Sequence, residues 1–168
     1  MSVIKKFVKT LLKYYYTNEV KSECKEFGKN LTVNRKSRVS KNLTLGNNVN
    51  FNRMFIKQGG RVVIGNNFHS GLDCLMIPRF HNYDHGVAIP YDNTFIYKDI
   101  HIKDNVWIGD RVVILGGVTI GEGVIIQAGS CVVKDLPDYA IAGGHPAKVF
   151  KYRDIEHYKN LKEQKAFH

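Results

Sequence analysis

IHIKDNVWIGDRVVILGGVTIGEGVIIQAGSCVV, residues 100–133, decides the fold. Ile102, Ile108, Ile114, Ile120, Ile126 and Val132 recur every six residues, and a second row two positions earlier holds Ile100, Val106, Val112, Val118, Val124 and Ser130. A helix repeats its buried face every 3.6 residues or about that, which this spacing does not match. A short strand of alternating side chains followed by a turn does match it. Each hexapeptide then points two side chains inward and rounds a corner. Three of them make a coil of about eighteen residues, and coils stack about 4.8 Å apart through parallel ladders. No hexapeptide can bury its own apolar pair, so stability belongs to the stack.

The frame extends upstream. Val33, Val39, Leu45 and Phe51 continue the main row, with Leu31, Ser37, Leu43 and Val49 two positions before them. It slips by one residue at the Gln58, Gly59, Gly60 turn and resumes at Ile64. Residues 31–150, less one interruption, supply about five to six coils. The period leaves the hand of the coil open.

Outside the repeat, residues 1–17 interleave Val3, Ile4, Phe7, Val8, Leu11, Leu12 and Tyr15 with Lys5, Lys6, Lys9 and Lys13, the pattern of an amphipathic helix. The lysines interrupt the apolar run, so neither a signal peptide nor a membrane span is expected. Packing against the body of the protein or a neighbouring subunit is the favoured role; an anionic membrane surface is the alternative. Ile155, Tyr158 and Leu161 mark a second short helix, read as packing. The expected organisation is a helical segment over 1–30, a solenoid domain over 31–153 and a helical tail over 154–168, all-β in class.

The 168 residues carry a formal charge of +10, spread along the chain, which favours an anionic partner. Three cysteines, odd in number and far apart, with no CxxC pair, argue against a disulfide framework and for a reducing cytoplasm. No zinc finger or RNP-like aromatic pattern supports nucleic-acid binding.

Residues 78–101, PRFHNYDHGVAIPYDNTFIYKDIH, break the repeat. A long excursion from so regular a solenoid is usually functional.

Residues 106–153, VWIGDRVVILGGVTIGEGVIIQAGSCVVKDLPDYAIAGGHPAKVFKYR, resemble the C-terminal half of hexapeptide-repeat acetyltransferases. That group includes galactoside and maltose O-acetyltransferases, streptogramin acetyltransferases and O-acetyltransferases of bacterial capsule and lipopolysaccharide. The resemblance covers about residues 31–153. It implies a left-handed parallel β-helix, a homotrimer with active sites between adjacent subunits, and acetyl-CoA as co-substrate without a metal. A closed threefold ring also suits a thin prism, because it buries exposed sides of each copy.

The run His81, Asn82, Tyr83, Asp84 matches the family pattern in which a His followed three residues later by Asp is the catalytic base. A sugar hydroxyl is a poor nucleophile at neutral pH, and an imidazole must take its proton as it attacks the thioester carbonyl. His85 is the rival in the same loop. Asp84 either orients the imidazole or caps the turn. Asn52, in FNRMFI, matches a family Asn near the reacting centre, a donor for the developing oxyanion, although Asn is also common at solenoid corners for structural reasons. Trp107 is implied to lie beside the thioester or to pack between subunits. Implied cofactor contacts fall at Gly109, Asp110, Ala128, Val133, Lys134, Lys148 and Lys151. Some relatives carry Arg at the last two positions, so Lys keeps the charge and loses the bidentate fork. Asp110 replaces a smaller neutral residue of some relatives and would contact through its backbone.

The loop IPYDNTFIYK is similar to that of the capsule and lipopolysaccharide enzymes, which implies a saccharide acceptor in polysaccharide biosynthesis. Asn52, Tyr83 and Tyr91 are the implied acceptor contacts, with Phe95 and Tyr97 offering further flat faces to sugar rings. The alternatives are N-acetylation of an amino sugar and acetylation of a streptogramin-type antibiotic. Two remoter readings are a γ-type carbonic anhydrase and a basic membrane-binding scaffold. The first needs histidines recurring on facing coils, and His69, His101, His145, His157 and His168 do not recur that way. The expected location is the cytoplasm, with the inner face of the membrane as the site of any lipid contact.

Overall fold

The computed structural model describes residues 3–168; Met1 and Ser2, counted in the first amphipathic segment, lie outside the described residues. Helix α1 (Val3–Glu23) precedes strands β1 (Thr32–Arg35), β2 (Leu43–Leu45), β3 (Asn50–Asn52), β4 (Phe55–Ile56), β5 (Val62–Ile64), β6 (His69–Leu72) and β7 (Leu75–Ile77). The excursion contributes β8 (Arg79–His81) and β9 (Phe95–Tyr97). The repeat resumes as β10 (Ile100–Ile102), β11 (Trp107–Ile108), β12 (Val113–Leu115), β13 (Thr119–Ile120), β14 (Ile125–Ile126) and β15 (Cys131–Val132). A hairpin of β16 (Ala140–Gly144) and β17 (Ala147–Tyr152) and helix α2 (Ile155–Glu163) follow.

The strands stack into three faces of a prism. The first face is β2, β5, β10, β13; the third is β4, β7, β12, β15; the second runs β1, β3, β6, β11, β14, β16 and ends on β17. All pairings among the coil strands are parallel, and only the two hairpins, β8 with β9 and β16 with β17, are antiparallel. Six parallel strands on the second face match the expected five to six coils. Both hexapeptide rows are inside: from Ile100 to Val132 every member is at most 2% exposed, Ser130 included.

The slip in the frame resolves into two steps. Phe51 to Ile56 is one residue short of the period, at Arg53 with φ 54°, and the turn at 57–61 more than restores it. The net shift of one residue is the one legible in the sequence.

Side-chain amides and carboxylates at the corners lock the coils in register. Between the first and second faces, Asn66 Oδ1 accepts from Asn47 N at 2.8 Å, Asp104 Oδ1 from Asn66 N at 2.7 Å and Asp138 Oδ1 from Glu122 N at 2.8 Å. Beside them Asn48 Nδ2 donates to Asn67 Oδ1, Asn67 Nδ2 to Asn105 Oδ1, and Asn105 Nδ2 to the Tyr158 hydroxyl at 2.7 Å. That hydroxyl donates to Glu122 Oε1 at 2.9 Å, which seats α2 on the corner. Of the three apolar residues that mark α2 in the sequence, only Tyr158 is buried; Ile155 and Leu161 are each 38% exposed.

Helix α1 docks only through its last turns. Thr17 and Val20 are buried, and the Thr17 hydroxyl accepts from Val33 N at 3.0 Å. Val3, Phe7, Leu11 and Tyr14 remain 85%, 64%, 52% and 70% exposed. Among the described residues no helix is long and apolar enough to cross a membrane.

Candidate active site

Parallel register places Asn50, His69, Trp107, Ile125 and Ile141 one above another on the second face, and the last hairpin adds Lys151 opposite Ile141. Partners directly opposite in a ladder point to the same side, so Trp107, 55% exposed, heads an outward column that ends on Lys151. Lys148, opposite Gly143, points the same way. From Trp107 to Lys151 the column spans three strand steps, roughly 14 Å.

A cleft of about 590 Å³ opens against this column. Asn52, His69 and Trp107 form one wall, and Tyr158, Leu161 and residues 166–168 the other. Burial pulls the His69 imidazole below its ordinary pKa, which keeps it neutral near pH 7. His69 was not singled out in the sequence because the excursion hides its period: it stands 38 residues from Trp107 (107 − 69) yet pairs with it one coil below.

Asn52 is held tightly. Its Nδ2 donates to Ser70 O at 2.7 Å and to Asn50 Oδ1 at 3.2 Å, and its Oδ1 accepts from Asn34 Nδ2 at 3.0 Å. An oxyanion would compete for the longer of the two donations.

Gly109, Asp110 and Ala128 stack at the corner between the second and third faces, where a Cβ on Gly109 would lie 2.5 Å from Ala128 N. Only glycine permits that approach. Asp110 has a structural duty, because its Oδ1 accepts from Leu72 N at 2.6 Å and ties two coils together. Beneath it Cys74 is buried with its thiol donating to Gly109 O at 3.2 Å, and burial pushes the thiol up to about 11. Val133 and Lys134 sit elsewhere, following β15 at the corner between the third and first faces.

The excursion leaves from that same corner, between β7 and β10. It is built on a stem: Arg79, Phe80 and His81 pair with Tyr97, Ile96 and Phe95. His81 ends the stem, its ring stacked on Tyr91 at 3.8 Å and 22° and lying 4.7 Å from Phe95. The Arg79 guanidinium covers Phe95 at 4.8 Å. Asp92 organises the tip by accepting from Thr94 N, Thr94 Oγ1 and Val87 N, and these bonds hold its carboxyl below the usual range. Asp84 makes no hydrogen bond to His81; His85 is tied by its backbone N–H to Asn82 Oδ1. Tyr83 is 64% exposed beside them.

Within the chain the candidates therefore fall into two groups. His81, Asp84 and Tyr91, with Val133 and Lys134, belong to the corner between the third and first faces. Asn52, Trp107, Gly109, Asp110, Ala128, Lys148 and Lys151 belong to the second face and its far corner. Among the described residues no group of three or more His, Cys, Asp and Glu could hold a metal ion.

A family model described as bacterial transferase hexapeptide (six repeats) matches residues 99–134. A candidate acetyltransferase of Saccharomyces cerevisiae is 35% identical over 115 residues, 66% of this chain and 56% of that protein. The galactoside O-acetyltransferase of Lactococcus lactis is 48% identical over 52 residues, 31% of this chain and 25% of that one. A solved galactoside acetyltransferase in complex with coenzyme A superposes with a TM-score of 0.67 at 27% identity, over 91% of this chain and 83% of that one. The chain carries the hexapeptide repeat of bacterial transferases and is similar in sequence and fold to hexapeptide-repeat acetyltransferases. It spans about half or less of the length of these two curated relatives.

Proposed function

We propose that this protein is an acetyl-CoA-dependent O-acetyltransferase acting on a saccharide hydroxyl, with left-handed coils assembled as a homotrimer and each active site shared by adjacent subunits. The observation that carries it is the division of the site. His81 stands at the end of a braced stem at one corner of the prism, while Asn52, Trp107 and the column to Lys151 line another side, so a second copy is needed to bring them together.

The pantetheine arm would lie along the column from Trp107, and Lys148 and Lys151 would meet the phosphates, with Gly109, Asp110 and Ala128 offering backbone at the adjoining corner. Val133 and Lys134 would reach the same cofactor from the neighbouring subunit. His81 takes the proton of the acceptor hydroxyl as its oxygen bonds to the acetyl carbonyl carbon. The tetrahedral oxyanion gains a hydrogen bond from Asn52. The carbon–sulfur bond then breaks, and the protonated imidazole returns its proton to the CoA thiolate. Tyr91 and Phe95 fix the ring plane of His81; Tyr83 and Tyr91 lie where a sugar would stack. Asp84 would turn toward the imidazole only in the assembled site.

The experiment is release of free CoA thiol from acetyl-CoA across oligosaccharides, nucleotide sugars and streptogramins. His81→Ala is expected to lower kcat by about 10²–10⁴ while acetyl-CoA affinity persists. Near-normal turnover in that variant would remove His81 from the role of base. Turnover of amines in preference to hydroxyls would move the protein to the amino-sugar N-acetyltransferases.

A further inference from the structure

Helix α1 and the corner between the second and third faces enclose a second cleft, of about 910 Å³, within the size range of small-molecule sites. Its floor carries Arg35, Lys36 and Arg53, and the helix adds Lys9. Arg53 is tied to Asp73 at 3.3 Å, whereas Arg35, Lys36 and Lys9 have no ion pair among the described residues. The single carboxylate lining the cleft, Asp110, is already committed to Leu72 N. Ile4, Val8 and Leu12 make the opposite wall apolar. Asn52 is the one residue that lines both this cleft and the cleft at Trp107.

A neutral sugar gives no reason for a concentration of positive charge beside the reacting centre. A diphosphate does: its oxygens accept from a guanidinium fork and from ammonium groups at once, and an apolar wall suits whatever the diphosphate carries. The cofactor's phosphates are assigned to Lys148 and Lys151, at the far end of the column, which leaves these cations for the other substrate. We infer that this cleft is the acceptor subsite and that the acceptor is a saccharide linked to a diphosphate, the linkage held by Arg35, Lys36 and Lys9 with the sugar reaching Asn52. The inference rests on the acetyl-transfer reading for the identity of the acceptor, but not for the binding of diphosphate.

Calorimetric titration of the full chain with inorganic diphosphate, uridine diphosphate and acetyl-CoA tests it, on wild type and on Arg35→Gln/Lys36→Gln. Both side chains are exposed, so the double variant keeps the core. Diphosphate is expected to bind wild type and to bind the variant at least about tenfold more weakly, with acetyl-CoA affinity unchanged. Lys9→Gln, on the opposite wall, should weaken diphosphate in the same direction. No binding by wild type at millimolar diphosphate, equal binding by the double variant, or displacement of diphosphate by CoA overturns the site; the last would make it part of the cofactor's own. Thiol release with nucleoside-diphosphate sugars and with lipid-linked diphosphate saccharides separates the two sources of the group, and turnover of neutral saccharides by wild type as fast as of either diphosphate form also overturns the inference. Failure of acetyl-CoA to bind would sink the acetyl-transfer reading while leaving the diphosphate titration to stand or fall by itself.

Discussion

Gly123 decides how α2 is held. Asn48, Asn67 and Asn105 occupy equivalent corner positions on successive coils with φ of 56°, 54° and 61°, and each passes its amide to the next. At Gly123, with φ 68°, the ladder has no side chain, and the Tyr158 ring takes the space: a Cβ there would lie 3.0 Å from Tyr158 Cε2 and Cζ. Arg153 completes the seat by donating to Gly123 O at 3.1 Å and covering the ring at 5.0 Å. Gly129 has nearly the same φ, 72°, and nothing within 4 Å of its would-be Cβ. Gly129→Ala therefore measures backbone strain alone, about 1–2 kcal/mol. Gly123→Ala carries that strain and also displaces Tyr158, so it is expected to cost about 1–3 kcal/mol more, from the Asn105 and Glu122 bonds left without their hydroxyl. Thermal unfolding of the two variants side by side reads the difference. Equal losses would mean that Tyr158 yields freely and that α2 contributes little to the stack.

At the scale of elements, the β8–β9 stem controls the plane of the His81 ring. Tyr91 lies 3.8 Å from it in a stacked arrangement, closer than Phe95 at 4.7 Å. Tyr91→Ala should leave acetyl-CoA affinity intact and lower kcat about tenfold through loss of orientation, with Tyr91→Phe close to wild type because the stack survives. Equal loss in both variants would point to the Tyr91 hydroxyl instead. The stem was not legible in the sequence, where residues 78–101 read as a functional excursion with no strands of its own. A two-stranded ribbon has no period to detect, and the contact of Arg79 over Phe95 across the strands has no sequence signature. The coils were legible because burial of each inward pair recurs every six residues, and even the frame slip leaves its count. The place of His69 below Trp107 was not, because the excursion separates in sequence two strands that pair in space. Asn52 was singled out as a candidate by its motif, but its bonds to Ser70, Asn50 and Asn34 needed the structure.

For the whole molecule, the prism sets a requirement that no local change removes. His81 and Trp107 lie on different sides of one stack, so acetyl transfer as proposed depends on contact between copies. Subunits carrying His81→Ala and subunits carrying Trp107→Ala should each assemble into inactive or nearly inactive trimers. When the two are refolded together in equal amounts, every mixed ring contains one boundary at which an intact His81 faces an intact Trp107. Random assembly makes about three quarters of the rings mixed, with one restored site in three, so activity should return to about a quarter of the wild-type value. A site contained within one subunit would recover nothing, because each chain would still carry its own lesion. Light scattering on the same samples supplies the remaining condition, a particle of three copies: recovery without a trimer, or a trimer without recovery, would separate assembly from the shared site and count against the arrangement proposed for His81.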